Sequence, residues 1–202
     1  MNFETLKNRL LSLGYKVSCF ETMGEATDYV NSQIDGTSVG IGGSKTVEEM
    51  GLFPRLSEHN DVWWHWYKSE DFTVTEIIDR QRESEVYISS VNGIAETGEI
   101  INIDGTCNRV ADIFYGHKKV FLLVGSNKVA PDYESALWRA RNIAAPKNAA
   151  RLQKKTPCVA AGRCLDCASP ERICRGLSVL WSVPKAMGCE YEVVLINEPL
   201  GY

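Results

Sequence analysis

The run Lys119-Val-Phe-Leu-Leu-Val-Gly has no polar face. A strand made from it must be covered on both sides, as a central strand is in a largely parallel sheet with helices on either face. The rest of the chain fits that frame. Phe3, Leu6, Leu10 and Leu13 share one helical stripe ended by Gly14, and a short strand is expected at about Lys16 to Phe20. A second helix, from about Gly24 to Gln33, carries Ala26, Tyr29 and Val30 on its apolar face. Thr37 opens a small strand that runs into glycine, with a helix from near Thr46. Later segments predict a polar helix within Asp71 to Ser84, strands at Val86-Tyr-Ile-Ser-Ser and Glu99-Ile-Ile-Asn-Ile, and a helix at about Asn108 to Phe114. Pro131 opens a long helix bearing Ala136, Leu137, Ala140 and Ile143, and Tyr191-Glu-Val-Val-Leu-Ile-Asn supplies a last strand. Strands alternating with helices define a single layered α/β domain over residues 1–202, and no linker or repeat divides it. The aromatic segment Val62, Trp63, Trp64, Trp66 and Tyr67 reads as a strand or a pocket wall, with packing its simplest role.

With 202 residues, 44% of them apolar, the chain can bury one substantial core. A net charge of −4 and the lack of a basic block argue against nucleic acid as a partner. No apolar run approaches the roughly 20 residues that span a bilayer, so membrane insertion is not expected. The opening MNFETLKNRLLSLGY has an amphipathic helical pattern, not a charged cap before an apolar run, and a cytoplasmic location is expected.

Four segments can carry chemistry. In Gly40-Ile-Gly-Gly-Ser-Lys-Thr, between a strand and a helix, Gly40, Gly42 and Gly43 are expected to turn with positive φ and admit an anion closely. Ser44, Lys45 and Thr46 add donors at the helix start, so the turn suits a small carboxylate or phosphate-bearing ligand. The spacing is neither a Walker A loop nor G-x-G-x-x-G. Glu96, on a turn just after a strand, is placed to act as a base or acyl-accepting nucleophile. Asp104-Gly-Thr-Cys-Asn-Arg forms a turn and cap in which Asn108 contributes, and Arg109 pairs with Asp104 or with an anion. Asn127 and Lys128 follow the apolar strand and face the carboxyl edge of the sheet, where α/β ligands bind. The histidines, His59, His65 and His117, sit in unrelated segments and form no hydrolytic or metal motif.

Cys158, Cys164, Cys167 and Cys174 form a C-x5-C-x2-C-x6-C segment. Thiolates select borderline and soft metals, so the candidates are zinc or an iron–sulfur cluster. The spacing matches neither ferredoxin runs nor a zinc ribbon. Reduced thiols, a redox switch and disulfides are the alternatives, the last opposed by seven cysteines and the absence of a secretory pattern.

Several long segments resemble the LUD-domain, or lactate-utilisation, family: VGIGGSKTVEEMGL, YISSVNGIAETGEIINIDGTCNRVADIFYGHKKVFLLVGSNKVAPD, RNIAAPKNAARL, TPCVAAGRCLDCASPERIC and VVLINEPLGY. They cover about Val39 to Tyr202 and look most like its short, single-domain branch. The resemblance implies a three-layer NagB/RpiA/CoA-transferase-like sheet with helices on both faces. It also implies a glycine-rich turn, Gly40 to Thr46, that meets phosphate or acyl groups. Glu96-Thr97-Gly98 is similar in placement to the Glu-Asn-Gly turn of CoA-transferases but lacks the asparagine. Cys107 stands where the family segment has glycine. By resemblance, the expected role is a component of cytoplasmic L-lactate, or 2-hydroxy acid, oxidation beside iron–sulfur oxidoreductase partners. Two other roles remain open: a transferase or isomerase using Glu96, and a metal- or redox-responsive binding module.

Overall fold

The computed structural model describes residues 1–184 and 188–202. Its larger sheet contains β1 (Lys16–Phe20), β2 (Ser38–Ile41), β3 (Asp61–Trp63), β4 (Val86–Ser90), β7 (Lys119–Gly125) and β10 (Glu190–Ile196) in the order β1-β10-β7-β4-β2-β3. Every pairing is parallel. The apolar run is β7, flanked by β10 and β4, and its side chains divide by the two-residue strand period. Val120, Leu122 and Val124 join one core with Leu6 and Leu10 of α1 (Glu4–Ser12). Phe121 and Leu123 join the other, with Ala26 and Val30 of α2 (Met23–Ser32), Val47 of α3 (Lys45–Glu49), and Leu52 and Leu56 of α4 (Leu52–Leu56). The protein is therefore α/β, with a parallel central sheet flanked by helices. Among the described residues no helix is long and apolar enough to cross a membrane.

Local chemistry sets the helix starts. Thr22 and Glu25 form a reciprocal capping box on α2, and Thr73 and Glu76 repeat it on α5 (Val74–Glu83). Asp132 caps α7 (Tyr133–Arg139), its carboxylate accepting the Ser135 N–H at 2.8 Å. The long helix expected from Pro131 passes through a π turn at Ala140–Ala144 before α8 (Ala145–Arg151). Pro146, in the first turn of α8, has no N–H to donate, and the wider turn absorbs the missing bond.

A smaller sheet, of which the sequence predicts only the strand at Glu99-Ile-Ile-Asn-Ile, contains β5 (Gly93–Ala95), β6 (Ile100–Asp104), β8 (Val129–Ala130) and β9 (Gly176–Leu180) in the order β8-β5-β6-β9. β6 is antiparallel to both its neighbours. Ile94, Ile100 and Leu180 enter the core shared with α1, whereas Ala95, Ile101 and Ala130 pack on Ala136 and Ala140. Strands of two or three residues are too short to show a period, which is why β5 and β8 were not legible. α6 (Asn108–Phe114) follows β6 where expected.

One ionised group is buried in the central sheet. Glu192 of β10 is fully buried; its carboxylate accepts from Tyr29 Oη at 2.6 Å and Ser18 Oγ at 2.7 Å, with Lys16 and Lys119 each at 3.3 Å. Burial alone pushes the carboxyl up, but the Tyr29 and Ser18 hydrogen bonds and the Lys119 and Lys16 charges outweigh it and hold the group below the usual glutamate range. A carboxylate held down in the folded state stabilises above its unfolded value and loses that contribution as the pH falls through the folded one. Glu192→Gln is therefore expected to cost about 2 kcal/mol at pH 7, discounted from a fully buried pair because Lys16 is partly exposed. Urea unfolding at neutral and acid pH checks this: the deficit should shrink as the pH falls below the ordinary glutamate value of 4.5.

Candidate functional site

The carboxyl ends of β2, β4 and β6 and the turn after β7 open onto one cleft of about 660 Å³. They supply Gly43 to Thr46, Ser90 to Asn92, Asp104 with Asn108 and Arg109, and Lys128. Asn148, Arg151 and Lys154, on α8 and the turn after it, form another wall, and Arg172 and Arg175 close it from the cysteine segment. His65 and Trp66 bring the aromatic segment to the rim, while Trp64 lies in the core, so that segment is both packing and pocket wall.

The glycine turn works through close approach. Gly40, Gly42 and Gly43 do not have the expected positive φ. A Cβ at Gly42 would stand 2.5 Å from Tyr87 Oη and 3.0 Å from Arg109 Cγ, and one at Gly43 would press on the Trp66 indole at 3.1 Å. The turn must lie flat on those side chains, which requires glycine for space rather than for backbone angle. Gly40 and Gly42 face packing partners and not the cleft. Ser44 caps α3 by accepting the Val47 N–H, and Lys45 pairs with Glu48.

Lys128 forms the floor. It is only 2% exposed, and its ammonium donates to Thr46 Oγ1 at 2.6 Å and Ser90 Oγ at 2.9 Å. Burial first, then the Arg139 and Arg109 charges, push it down to about 7. Arg139 is buried as well, donating to Asn127 O and Asn92 O, and thereby holds two cleft loops. Asn127 does not line the cleft; its side chain accepts the Leu200 N–H and positions the segment that brings Tyr202 to the rim.

Arg109 pairs with Asp104 at 3.4 Å and spends its remaining donors on Ser90 O, Asn102 Oδ1, Asn92 Oδ1 and Ile103 O. Asp104 accepts the N–H groups of Gly105, Thr106 and Cys107, and Asn108 accepts from Thr106 Oγ1. This segment is a turn and cap that shapes the wall. Cys107 occupies the left-handed region at φ 65°, which explains why glycine suits the position; a side chain there costs roughly 1 kcal/mol. Gly176 makes room for it, since a Cβ there would stand 2.5 Å from Cys107 Sγ.

Glu96 is not beside the glycine turn. β5 and β6 form a hairpin whose open end, at Asn92 and Ile103–Asp104, reaches the cleft, whereas residues 96–98 form its far end. That end packs on α1, with Arg9 donating to Thr97 O and Gly98 lying against Leu13. Cys158 lies on α9 (Pro157–Ala161), and Cys164, Cys167 and Cys174 lie on the following loop. All four are free and border one small cavity, although among the described residues no three His, Cys, Asp or Glu side chains already form a metal-ligating group.

Sequence reasoning missed His65, Ser90, Asn92, Arg139, Arg151, Arg172 and Arg175. Ser90 and Asn92 had a usable signal, because they end a strand at the carboxyl edge. The arginines had none: they come from elements whose packing, not pattern, turns them inward.

Fold and cleft together define an α/β architecture with polar loops gathered at the carboxyl ends of a parallel sheet. The chain belongs to the LUD-domain family, whose description matches residues 3–195. A crystal structure of a DUF162 family protein from Deinococcus radiodurans shares the fold, with a TM-score of 0.53 and 12% identity over 96% of each chain. A crystal structure of eIF2B beta from Chaetomium thermophilum aligns with a TM-score of 0.35 and 14% identity over 56% of this chain and 44% of that one. No curated protein matches the sequence significantly.

The Lys128 ammonium gives a pH signature. An anion beside it favours the protonated form, so binding above about pH 7 must take up a proton. Sulfate, whose charge is constant over pH 6–9, should therefore lose affinity as the pH rises, by at most roughly tenfold per unit. Calorimetric titration should show this slope in the wild type and not in Lys128→Met.

Proposed function

We propose that the cleft binds a small carboxylate of the 2-hydroxy or 2-oxo acid class, or a phosphate-bearing relative. In this reading the protein is a component of cytoplasmic L-lactate oxidation acting with iron–sulfur partner proteins. The observation that carries the anion assignment is the charge of the walls. Lys45, Arg109, Lys128, Arg151, Lys154, Arg172 and Arg175 line the cleft against the carboxylates of Asp104 and Glu171. Lys45, Arg109 and Arg172 have carboxylate neighbours, but among the described residues no carboxylate pairs directly with Lys128, Arg151, Lys154 or Arg175. Such a surplus around a concave site attracts and orients an anion.

The LUD family connects the chain with lactate utilisation in general. Lys128 and Arg151 are assigned to the ligand's charged groups, and the Ser90 hydroxyl to a neutral oxygen. Burial holds the His65 ring below its ordinary value, so it is mostly neutral at pH 7 and offers an uncharged rim. Oxidation of a 2-hydroxy acid to the 2-oxo acid releases two electrons and two protons. The electrons are assigned to the iron–sulfur partner, leaving binding and orientation to this chain.

Calorimetry with L-lactate, pyruvate, phosphate and the neutral lactamide tests the assignment. The anions should bind and lactamide should not. Lys128→Met and Arg151→Ala should each weaken binding about tenfold or more, the value of one charge-assisted hydrogen bond. Equal binding of lactate and lactamide, or anion affinities unchanged in both variants and in the Ser44→Ala, Lys45→Ala pair, would exclude the cleft as the site.

A further inference from the structure

We propose that Cys158, Cys164, Cys167 and Cys174 bind one thiophilic divalent cation of the zinc class, and that the bound ion fixes the Arg172 wall of the anion cleft. The four thiols come from a helix and three points of a loop, yet they border the same enclosed space. The other cysteines, Cys19, Cys107 and Cys189, do not border it. Four sulfur donors make a closed tetrahedral set with no position for a reacting water, the pattern of a structural zinc site.

Volume separates one ion from a cluster. The cavity holds about 20 Å³, room for little more than one water-sized sphere. One cation fits once the sulfurs draw in to about 2.3 Å. A multi-iron cluster would require the walls to open instead. The sulfurs are not yet gathered, as is usual for sites completed by the metal itself.

Cationic and N–H groups face the sulfurs. Four thiolates around a dication leave a net charge of −2, and Arg141 and Arg172 border the same cavity. The Asp166 N–H donates to Cys164 Sγ at 3.4 Å, and Arg141 Nη2 donates to it at 3.7 Å. Asp166 lies in the left-handed region at φ 47°, which folds the chain back between Cys164 and Cys167. A non-glycine residue held there, its N–H aimed at sulfur, fits a Cys-x2-Cys ligand turn.

The link to the cleft runs through Arg172. Its guanidinium donates to Cys167 O and to Cys174 O, each at 2.9 Å, so its anchors are the backbones of two ligand residues. Arg172 and Ile173 border both the thiol cavity and the anion cleft. Pinning Cys167 and Cys174 to an ion therefore fixes the position of this wall. The metal assignment is independent of what the cleft binds; only the coupling rests on the anion reading.

The test uses full-length protein prepared anaerobically and loaded with Zn²⁺ or Co²⁺ alone. One zinc per chain is expected, without acid-labile sulfide. The cobalt form should show intense tetrahedral d–d bands and thiolate-to-cobalt charge transfer. Cys164→Ser and Cys167→Ser should lose the metal while Cys19→Ser retains it. Four freely titrating thiols with no retained metal, a weak octahedral cobalt spectrum, or iron with stoichiometric sulfide would each overturn the assignment; the cobalt spectrum is read on unmutated protein, so misfolded variants cannot obscure it. Sulfate affinity should fall several-fold when the ion is chelated. Equal affinity with and without metal would overturn the coupling alone.

Discussion

Arg109 joins the two sheets at the place where the cleft opens. One end of its guanidinium holds Ser90 O, where β4 ends, and Asn102 of β6; the other holds Ile103 O and Asn92, the residue linking β4 to β5. Asp104 approaches Nε from the same wall. A charge buried in this way is tolerable only with its donors satisfied. The same bonds that neutralise it therefore set the distance between the parallel sheet and the smaller one. The Gly42 turn lies directly on its aliphatic stem, so the glycine segment, the end of β4 and the Asp104 turn share a single anchor.

Lys128 shows a different balance. A displacement from 10.5 to about 7 corresponds to a cost on the order of 5 kcal/mol for keeping the buried group charged. Because the folded value is depressed, stability should rise with pH between the two values, where the unfolded chain holds a proton that the folded one has released. Two hydroxyls accept from the amine, and Glu49 acts on it through its charge alone, without a direct ion pair among the described residues. A purely structural lysine would be better served by an acidic partner, as Lys119 is by Glu190 and Glu192. Leaving the partner's place open to the cleft is the arrangement expected where function is maintained against stability.

The parallel sheet was legible because its central strand has two apolar faces and its helices carry caps and stripes that survive in one dimension. The glycine segment, Asp104, Asn108, Arg109 and Lys128 were legible as cleft neighbours because each follows a strand that must end at the carboxyl edge. Gly43 was identified for the wrong physical reason, since Trp66 rather than φ demands it. Of the smaller sheet only β6 was legible, as Glu99-Ile-Ile-Asn-Ile: β8 has two residues, and β9 follows a cysteine segment whose composition masks its alternation. Glu96 was misplaced because a turn after a strand reads the same whether the strand continues the parallel sheet or opens a hairpin. Only the pairing of β5 with β6 sends that turn away from the cleft.

The two carboxylate side chains that reach the cleft are each partly engaged in shaping its wall. Asp104 is occupied by three backbone N–H groups and Arg109, and Glu171 accepts the Lys155 N–H at 2.6 Å. A general base needs a free lone pair within reach of the proton it removes, and a nucleophilic carboxylate needs an unblocked oxygen. Asp104 Oδ2 has no hydrogen-bond donor and is held by the Arg109 charge at 3.4 Å, and Glu171 is bound through one oxygen only. The other groups facing the cleft are mainly cations, hydroxyls and an imidazole held toward its neutral form, which orient an anionic ligand and donate hydrogen bonds to it. Under the anion reading proposed above, such a cleft holds and orients its ligand, and the thiol segment at its rim is where the geometry of that binding can be set.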